Sequence, residues 1–451
     1  MRKLIVVIVA LAVVGGAIYV AAGLGSPPVI QIDSPQKFVG VSTPLKLTLT
    51  APGGRLSSLE ATFDQGGTVT DLLDHPSMPD PQGDTVRFGT TIDRSRVAGL
   101  KSGPARIRVT ASRPGFLGLR QIRSETVRDV QVRLEPPRVA VLSTHHYINV
   151  GGAEMIVYRA EPADVVSGVR VGDVEYPGFP ATGVRAEGVT ISDPALRVAF
   201  FALLYDQDPA TPMRVFARDE AGNQVEADFE RRTFPKPAKT SRIDLPDAFL
   251  DRVVPAILAS TQEVSPQGTT LEKFLVLNGD LRRKNNEKIA SFSRETAPEM
   301  LWAGVVFHPF TNTAVQSAFA DRRTYIYQGR EVDRQTHLGF DLASYAGTPI
   351  VAANRGKVLF AGMLGIYGNT VIVDHGMGVQ SLYGHLSSIG VTTGAMVEKA
   401  QEIGRSGMTG MAAGDHLHYT MLVAGHMVNP IEWWDTHWIE DRILRKLRGA
   451  R

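Results

Sequence analysis

From Leu301 to about Trp434 the chain is glycine-rich and its aliphatic runs are short, as in TPIVAANRGKVLFAG and GNTVIVDHGMGVQSLYGHLS, with Gly, Asn and Asp between them. Runs of that length suit strands and the residues between them suit tight turns, so the texture predicts a compact β domain. Period-two patterning extends upstream. Ala105, Ile107, Val109 and Ala111 alternate with polar residues, as do Val130, Val132 and Leu134, which marks half-buried strands.

A shift of 109 residues exposes a repeat: PPVIQIDSPQKFVGVSTPLKLTLTA (Pro27 to Ala51) lies without gaps on PPRVAVLSTHHYINVGGAEMIVYRA (Pro136 to Ala160). Ile30 and Ile32 fall on Val139 and Val141, and Phe38, Val39 and Val41 on Tyr147, Ile148 and Val150. A unit of about 110 residues made of short alternating strands has the size of an immunoglobulin-like sandwich. In the second copy, VFARDEAGNQVEADF (Val215 to Phe229) reads as two strands around an Ala-Gly-Asn turn and resembles the terminal hairpin of bacterial immunoglobulin-like repeats. Both copies are expected to be spacers; the sharper alternative is that they bind an envelope protein partner or wall glycan.

A linker containing Pro and Lys, Phe234 to Thr240, precedes a helical texture from Asp247 to Ala290. Phe249, Val253, Val254, Ile257 and Leu258 follow three-to-four spacing, Phe274, Leu277, Leu281 and Ile289 do so more loosely, and Pro266-Gln-Gly divides the stretch into two helices. Asn278, Asp280, Asn285 and Asn286 give this segment polar groups able to reach a groove. The tail from Ile431 carries Trp433, Trp434, Trp438, Ile439, Ile443, Leu444 and Leu447 before ending basic, as an amphipathic helix packed on its own protein would.

At the other end, Arg2 and Lys3 precede an uncharged, mostly aliphatic stretch from Leu4 to Leu24. It predicts a single transmembrane helix with the N-terminus in the cytoplasm, and hence a protein of the cytoplasmic (inner) membrane with its bulk on the periplasmic or extracytoplasmic side. A cleaved signal peptide is the alternative, since Ala17, Ala21 and Ala22 offer small residues near its end. A net charge of +2, from 48 basic and 46 acidic side chains, lacks the basic excess of a nucleic-acid binder. The chain has no cysteine, which excludes disulfides, thiolate zinc sites and cysteine nucleophiles, so any metal must rest on imidazole and carboxylate. The expected fold class is mainly β: an N-terminal transmembrane anchor (1–25), two tandem immunoglobulin-like sandwiches (27–135 and 136–235), a helical connector (241–298), a C-terminal β-rich domain (300–435) and a basic amphipathic tail (436–451).

Of eleven histidines, five lie between 337 and 418. In THLGFDLA, His337 and Asp341 are four apart, a spacing that shares one face in either a strand or a helix, so both can reach one metal. In DHLHYTML, His416 and His418 are two apart and share one face of a strand. Two imidazoles with one carboxylate are a standard catalytic zinc set that leaves a position for water. His385, in SLYGHLS, taken alone reads as a core histidine satisfied by backbone. Beside the others it gains a second reading, because metal-assisted hydrolysis needs groups to accept a proton and to steady a charged intermediate, and two non-ligand histidines could take those parts.

The run from Ser317 to Pro430 resembles the LytM/lysostaphin-type peptidoglycan zinc metalloendopeptidases. SAFADRR is similar to that family's Ser-x-Phe-Gly-x-Arg motif, with Ala320 where Gly is usual, and HLGFDLA matches its His-x-Gly-x-Asp motif. GTPIVAANRGKVLFAG, YGNTVIVDHG, LYGHLS, GRSGMTG and GDHLHYTM follow in family order. The resemblance implies Zn2+ held by His337, Asp341 and His418. It implies catalytic roles for His385 and His416, one helping to activate water and the other stabilising the intermediate. Tyr327 is a further candidate donor to the oxyanion, or else an ordinary strand tyrosine. The implied activity is hydrolysis of peptide bonds in peptidoglycan stems or cross-links during cell-wall remodelling. Since some relatives have lost ligands and activate other wall hydrolases, an envelope scaffold or activator is the alternative.

Overall fold

The computed structural model describes residues 2–21, 25–51, 55–73, 83–115, 118–237, 239–310 and 313–450. Strands hold 44% of the chain and helices 19%, so the protein is mainly β. It divides into two compact units, Met1–Pro137 with Arg218–Val225, and Arg138–Ala217 with Glu226–Arg451.

In the first unit an antiparallel sheet runs in the order Val29–Ser34, Ser42–Thr50, Thr85–Asp93. A five-stranded sheet runs Phe38–Val39, Gln121–Val132, Gly103–Pro114, Ser58–Gln65, Thr68–Asp71. Along Ser42–Thr50 the alternation is strict. Leu45, Leu47 and Leu49 enter one core with Ile107, Val109, Val130 and Val132, while Lys46 and Thr48 turn outward.

The N-terminal helix runs Arg2–Ala21. No helix among the described residues is long and apolar enough to cross a membrane, so the single-pass anchor and the inner-membrane localisation built on it are withdrawn. Ala22 and Leu24 lie outside the described residues.

In the second unit, strand Ala153–Glu161 lies between Leu196–Ala202 and Arg138–Val141, antiparallel to both. Its side chains are buried on both faces from Ala153 to Tyr158. Met155 stands opposite Phe200, whose ring lies 6.0 Å from Trp433 and 6.4 Å from Trp302. This β region is therefore packed on the C-terminal domain and is not a free spacer. The tail completes the contact with short helical turns at Ile431–Trp434, Thr436–Ile439, Glu440–Leu444 and Arg445–Gly449, which bury Trp433, Ile439, Ile443 and Leu447.

The connector begins as a strand. Thr240–Asp244 pairs in parallel with β1 (Asp321–Tyr327), which forms a hairpin with β2 (Arg330–His337). Three helices follow: α1 (Asp247–Ser260), α2 (Thr270–Val276) and α3 (Arg282–Ser291), the last two joined by a π-helical turn. Helix α1 buries Leu250, Val253, Val254 and Ile257, the stripe its spacing dictates. Thr269 and Glu272 cap α2 reciprocally, satisfying two amides that the helix itself leaves unpaired. The domain's main sheet runs Ala314–Ser317, β3 (Phe340–Ala343), β6 (Leu417–Val423), β5 (Val379–Leu386), β4 (Asn369–Asp374), Gly356–Met363, Met396–Val397.

Candidate metal centre

Asp341 on β3 and His418 on β6 are directly opposite across an antiparallel pair, so their side chains share a face. His337 ends β2 and enters the same space from the hairpin. Its Nε2 lies 3.0 Å from Asp341 Oδ1 and 3.1 Å from His418 Nδ1, and His418 Nδ1 lies 3.0 Å from that same carboxylate oxygen. Three lone-pair atoms thus form a near-equilateral triangle among buried side chains. Protons cannot satisfy all three edges at once. Ligands at ~2.0–2.1 Å from a tetrahedral zinc ion stand about 3.3 Å apart, close to these edges. The donor set therefore fits a cation of that size and preference.

Neighbours fix each ring. His337 Nδ1 lies 3.2 Å from the Ala318 carbonyl, which takes that proton and leaves the Nε2 lone pair facing the triangle. Asp341 Oδ2 accepts from Arg323 at 2.9 Å, and Arg323 also donates to Ser317 at 2.8 Å. Gly339, the middle residue of the His-x-Gly-x-Asp motif, has a steric reason to be there: a Cβ would stand 2.5 Å from His418 Cε1. The other two histidines flank the triangle. His416 precedes β6, two residues from His418, and its Nε2 lies 3.5 Å from Asp341 Oδ1 while Nδ1 donates to Gly414 at 2.8 Å. His385 donates from Nδ1 to the Thr409 carbonyl at 2.8 Å, and its ring stands 4.8 Å from that of His416. A bulge turns it there. Gly384 and His385 both lie between β4 partners at Tyr383 and Leu386, and His385 has φ 61°.

Burial sets the electrostatics. It would push Asp341 up, but the His337 imidazole and hydrogen bonds from His337, His416 and His418 outweigh it and hold the carboxyl well below its usual range. Burial lowers His418 to about 4. Burial, with His416 and His418 beside it, also keeps His385 well below an ordinary imidazole. His416 goes the other way, because its hydrogen bond to Asp341 and that residue's charge overcome burial.

All five residues expected from sequence line one cleft of about 670 Å³. Tyr327 does not reach it, and its hydroxyl donates to Asp247 at 2.9 Å. His375 is buried and satisfied by the Arg355 carbonyl and the Ser381 hydroxyl. Arg323 was missed. The motif aligns Arg322, but the register of β1 puts Asp321, Arg323 and Tyr325 on the cleft side, a signal present in their two-residue spacing.

The comparisons with known proteins converge on this region. The model of Peptidase family M23 matches residues 335–430. The DD-carboxypeptidase/endopeptidase Mpg of Neisseria meningitidis serogroup B is 37% identical over 128 residues, covering 28% of this chain and 29% of its own. The peptidoglycan DD-endopeptidase ShyA of Vibrio cholerae serotype O1 is 30% identical over 166 residues, covering 37% of this chain and 35% of its own. The match thus spans about a third of each relative's length. Among solved structures, the catalytic domain of lysostaphin from Staphylococcus simulans is similar with a TM-score of 0.23 at 27% identity, over 27% of this chain and 90% of that one. The C-terminal domain of this chain, over residues 335–430, is a Peptidase family M23 domain.

Proposed function

We propose that this domain is a zinc-dependent endopeptidase that hydrolyses peptide bonds in peptidoglycan stems or cross-links. The observation that carries the reading is the triangle of His337 Nε2, Asp341 Oδ1 and His418 Nδ1, with edges of 3.0–3.1 Å. These three would hold Zn2+, which when bound polarises a carbonyl and lowers the pKa of water towards ~7. The remaining work falls to the chain. His385 and His416 each give Nδ1–H to a backbone carbonyl, so each presents Nε2 to the cleft in a fixed orientation. The one that is neutral accepts the proton of the attacking water at Nε2, and the other, when it carries a second proton there, donates from Nε2 to the developing oxyanion. Arg323 and Ser317 hold Asp341 and His337 in place from behind.

Zinc-loaded protein should release soluble muropeptides from purified sacculi, read by mass spectrometry, and metal analysis should find one zinc per chain. His337→Ala should lose both. Sacculi left intact by zinc-loaded wild-type protein would refute the hydrolase, and full zinc content in His337→Ala would refute the ligand set.

A further inference from the structure

We propose that Arg252 and Arg282, carried by helices outside the matched domain, form a carboxylate subsite in the cleft, so that the peptide cleaved here is acidic at that end. This rests on the hydrolase reading above.

Both side chains line the same cleft as the histidines. Arg252 on α1 donates Nη2 to the Ala412 carbonyl at 2.8 Å and lies 5.7 Å from the Phe249 ring centroid. Arg282, at the start of α3, donates Nε to the Asn278 carbonyl at 3.0 Å and Nη2 to Asn278 Oδ1 at 2.6 Å, with the Met411 sulfur at 3.6 Å. Met411 and Ala412 are consecutive in the segment that leads to His416, so the two guanidiniums are pinned at one end of the cleft. Their anchoring groups are all uncharged. Among the described residues, no carboxylate lies within ion-pair distance of either, whereas the third guanidinium of the cleft, Arg323, pairs with Asp341 at 2.9 Å. Asp244 also lines the cleft, but it is exposed and faces Arg242 at 3.3 Å.

A guanidinium held by one edge keeps N–H donors in a fixed fork for a planar, bidentate carboxylate. The neighbouring Phe249, Phe274 and Tyr367 lower the dielectric around it, which strengthens such a contact. The helical segment is also built as a wall. Asn278 donates to Asp333 at 2.7 Å, Asn285 accepts from the Ile366 amide at 3.0 Å, and Asn286 accepts from the Tyr367 hydroxyl at 2.9 Å. Its polar groups bind the domain and leave the two arginines facing the substrate space.

The carboxylate could be a chain terminus or an acidic side chain, and the test separates them. Zinc-loaded full chain is assayed on one cell-wall peptide in four forms: unmodified, C-terminally amidated, with the acidic side chain made an amide, and with both changes. Neutralising the recognised carboxylate should lower kcat/KM for the wild type by about 10- to 100-fold, mainly through KM. Arg282→Gln and Arg252→Gln should shrink that preference to a few-fold, and Arg282→Lys should restore part of it. The form on which the preference collapses names the source. Equal rates on all four forms by the wild type, or equal losses on charged and neutral forms by the variants, would overturn the subsite. Should the wild type cut no form, the hydrolase reading fails instead, and calorimetric binding of the four peptides decides the subsite. Equal affinities would then reject it.

Discussion

Strands Ser42–Thr50 and Ala153–Glu161 overlap when the chain is shifted by 109 residues, and they have opposite surroundings. In the first copy Leu45, Leu47 and Leu49 are buried and Lys46 and Thr48 face outward. In the second, Met155 and Val157 occupy the positions of Lys46 and Thr48, and both are fully buried. One face of the first strand meets water, whereas both faces of the second meet protein. A strand with one solvated face alternates, and a strand covered on both sides reads as a continuous apolar run. The second strand is thus part of the compact unit that carries the metal centre. The inner face changed as well. Glu154 stands where the first copy has Leu45, fully buried, with Lys446 Nζ at 2.7 Å.

That exchange is where the comparison breaks most sharply. Burial raises the Glu154 carboxyl and lowers the Lys446 ammonium, and in each it outweighs their mutual attraction. Such a pair adds little net stability, but removing Lys446 leaves the buried carboxyl with only Arg442 at 4.0 Å and the amides of Tyr147 and Met155. Lys446→Met should destabilise the fold by about 3–5 kcal/mol. Adding Glu154→Leu, which restores the residue of the first copy, should recover most of that loss. Urea denaturation of the two single variants and the double variant measures the coupling, and simple additivity would reject the account.

A second buried carboxylate at this contact gives a pH signature. Glu432 accepts from the Asn149 side chain and the Ala153 amide, each at 2.8 Å, and burial raises it from an ordinary 4.5 to about 7. The folded chain therefore keeps a proton that the unfolded chain releases. The contribution is fully present below about pH 4.5, falls as pH rises towards 7, and is gone above it, a change of about 3 kcal/mol. Asp341 is the reverse case, with enough donors to hold its charge despite burial. Glu432→Gln should flatten the stability profile between pH 5 and 8 relative to wild type. Parallel profiles would show that the proton is not held there.

What the sequence could disclose follows from range. His337 with Asp341, and His416 with His418, are visible locally because each pair is close in sequence. The structure brings them together from the end of β2 onto β3 and from the segment before β6 onto β6, rather than along one strand. His385 needs a bulge and a positive φ, which one sequence does not display. Choosing Arg323 over Arg322 requires the register of the β1–β2 hairpin. Glu154 and Lys446 are 292 residues apart, and nothing near either announces its partner. The apolar stretch at the N-terminus misled for the opposite reason: composition signalled a span, while no helix among the described residues is long and apolar enough to make one.

The smallest expected effect lies on the outer face of the first copy. The Lys46 side chain is exposed and has no hydrogen bond or ion pair among the described residues, so Lys46→Met, which copies Met155, removes no side-chain bond and fills no cavity. Stability should change by less than about 0.5 kcal/mol. The reciprocal Met155→Lys places an ammonium beside Phe200 with no partner provided, and it should unfold the second unit under conditions where Lys46→Met is silent. If both substitutions proved equally mild, the two strands would share one environment, and the second β region would be the free spacer that its sequence suggested.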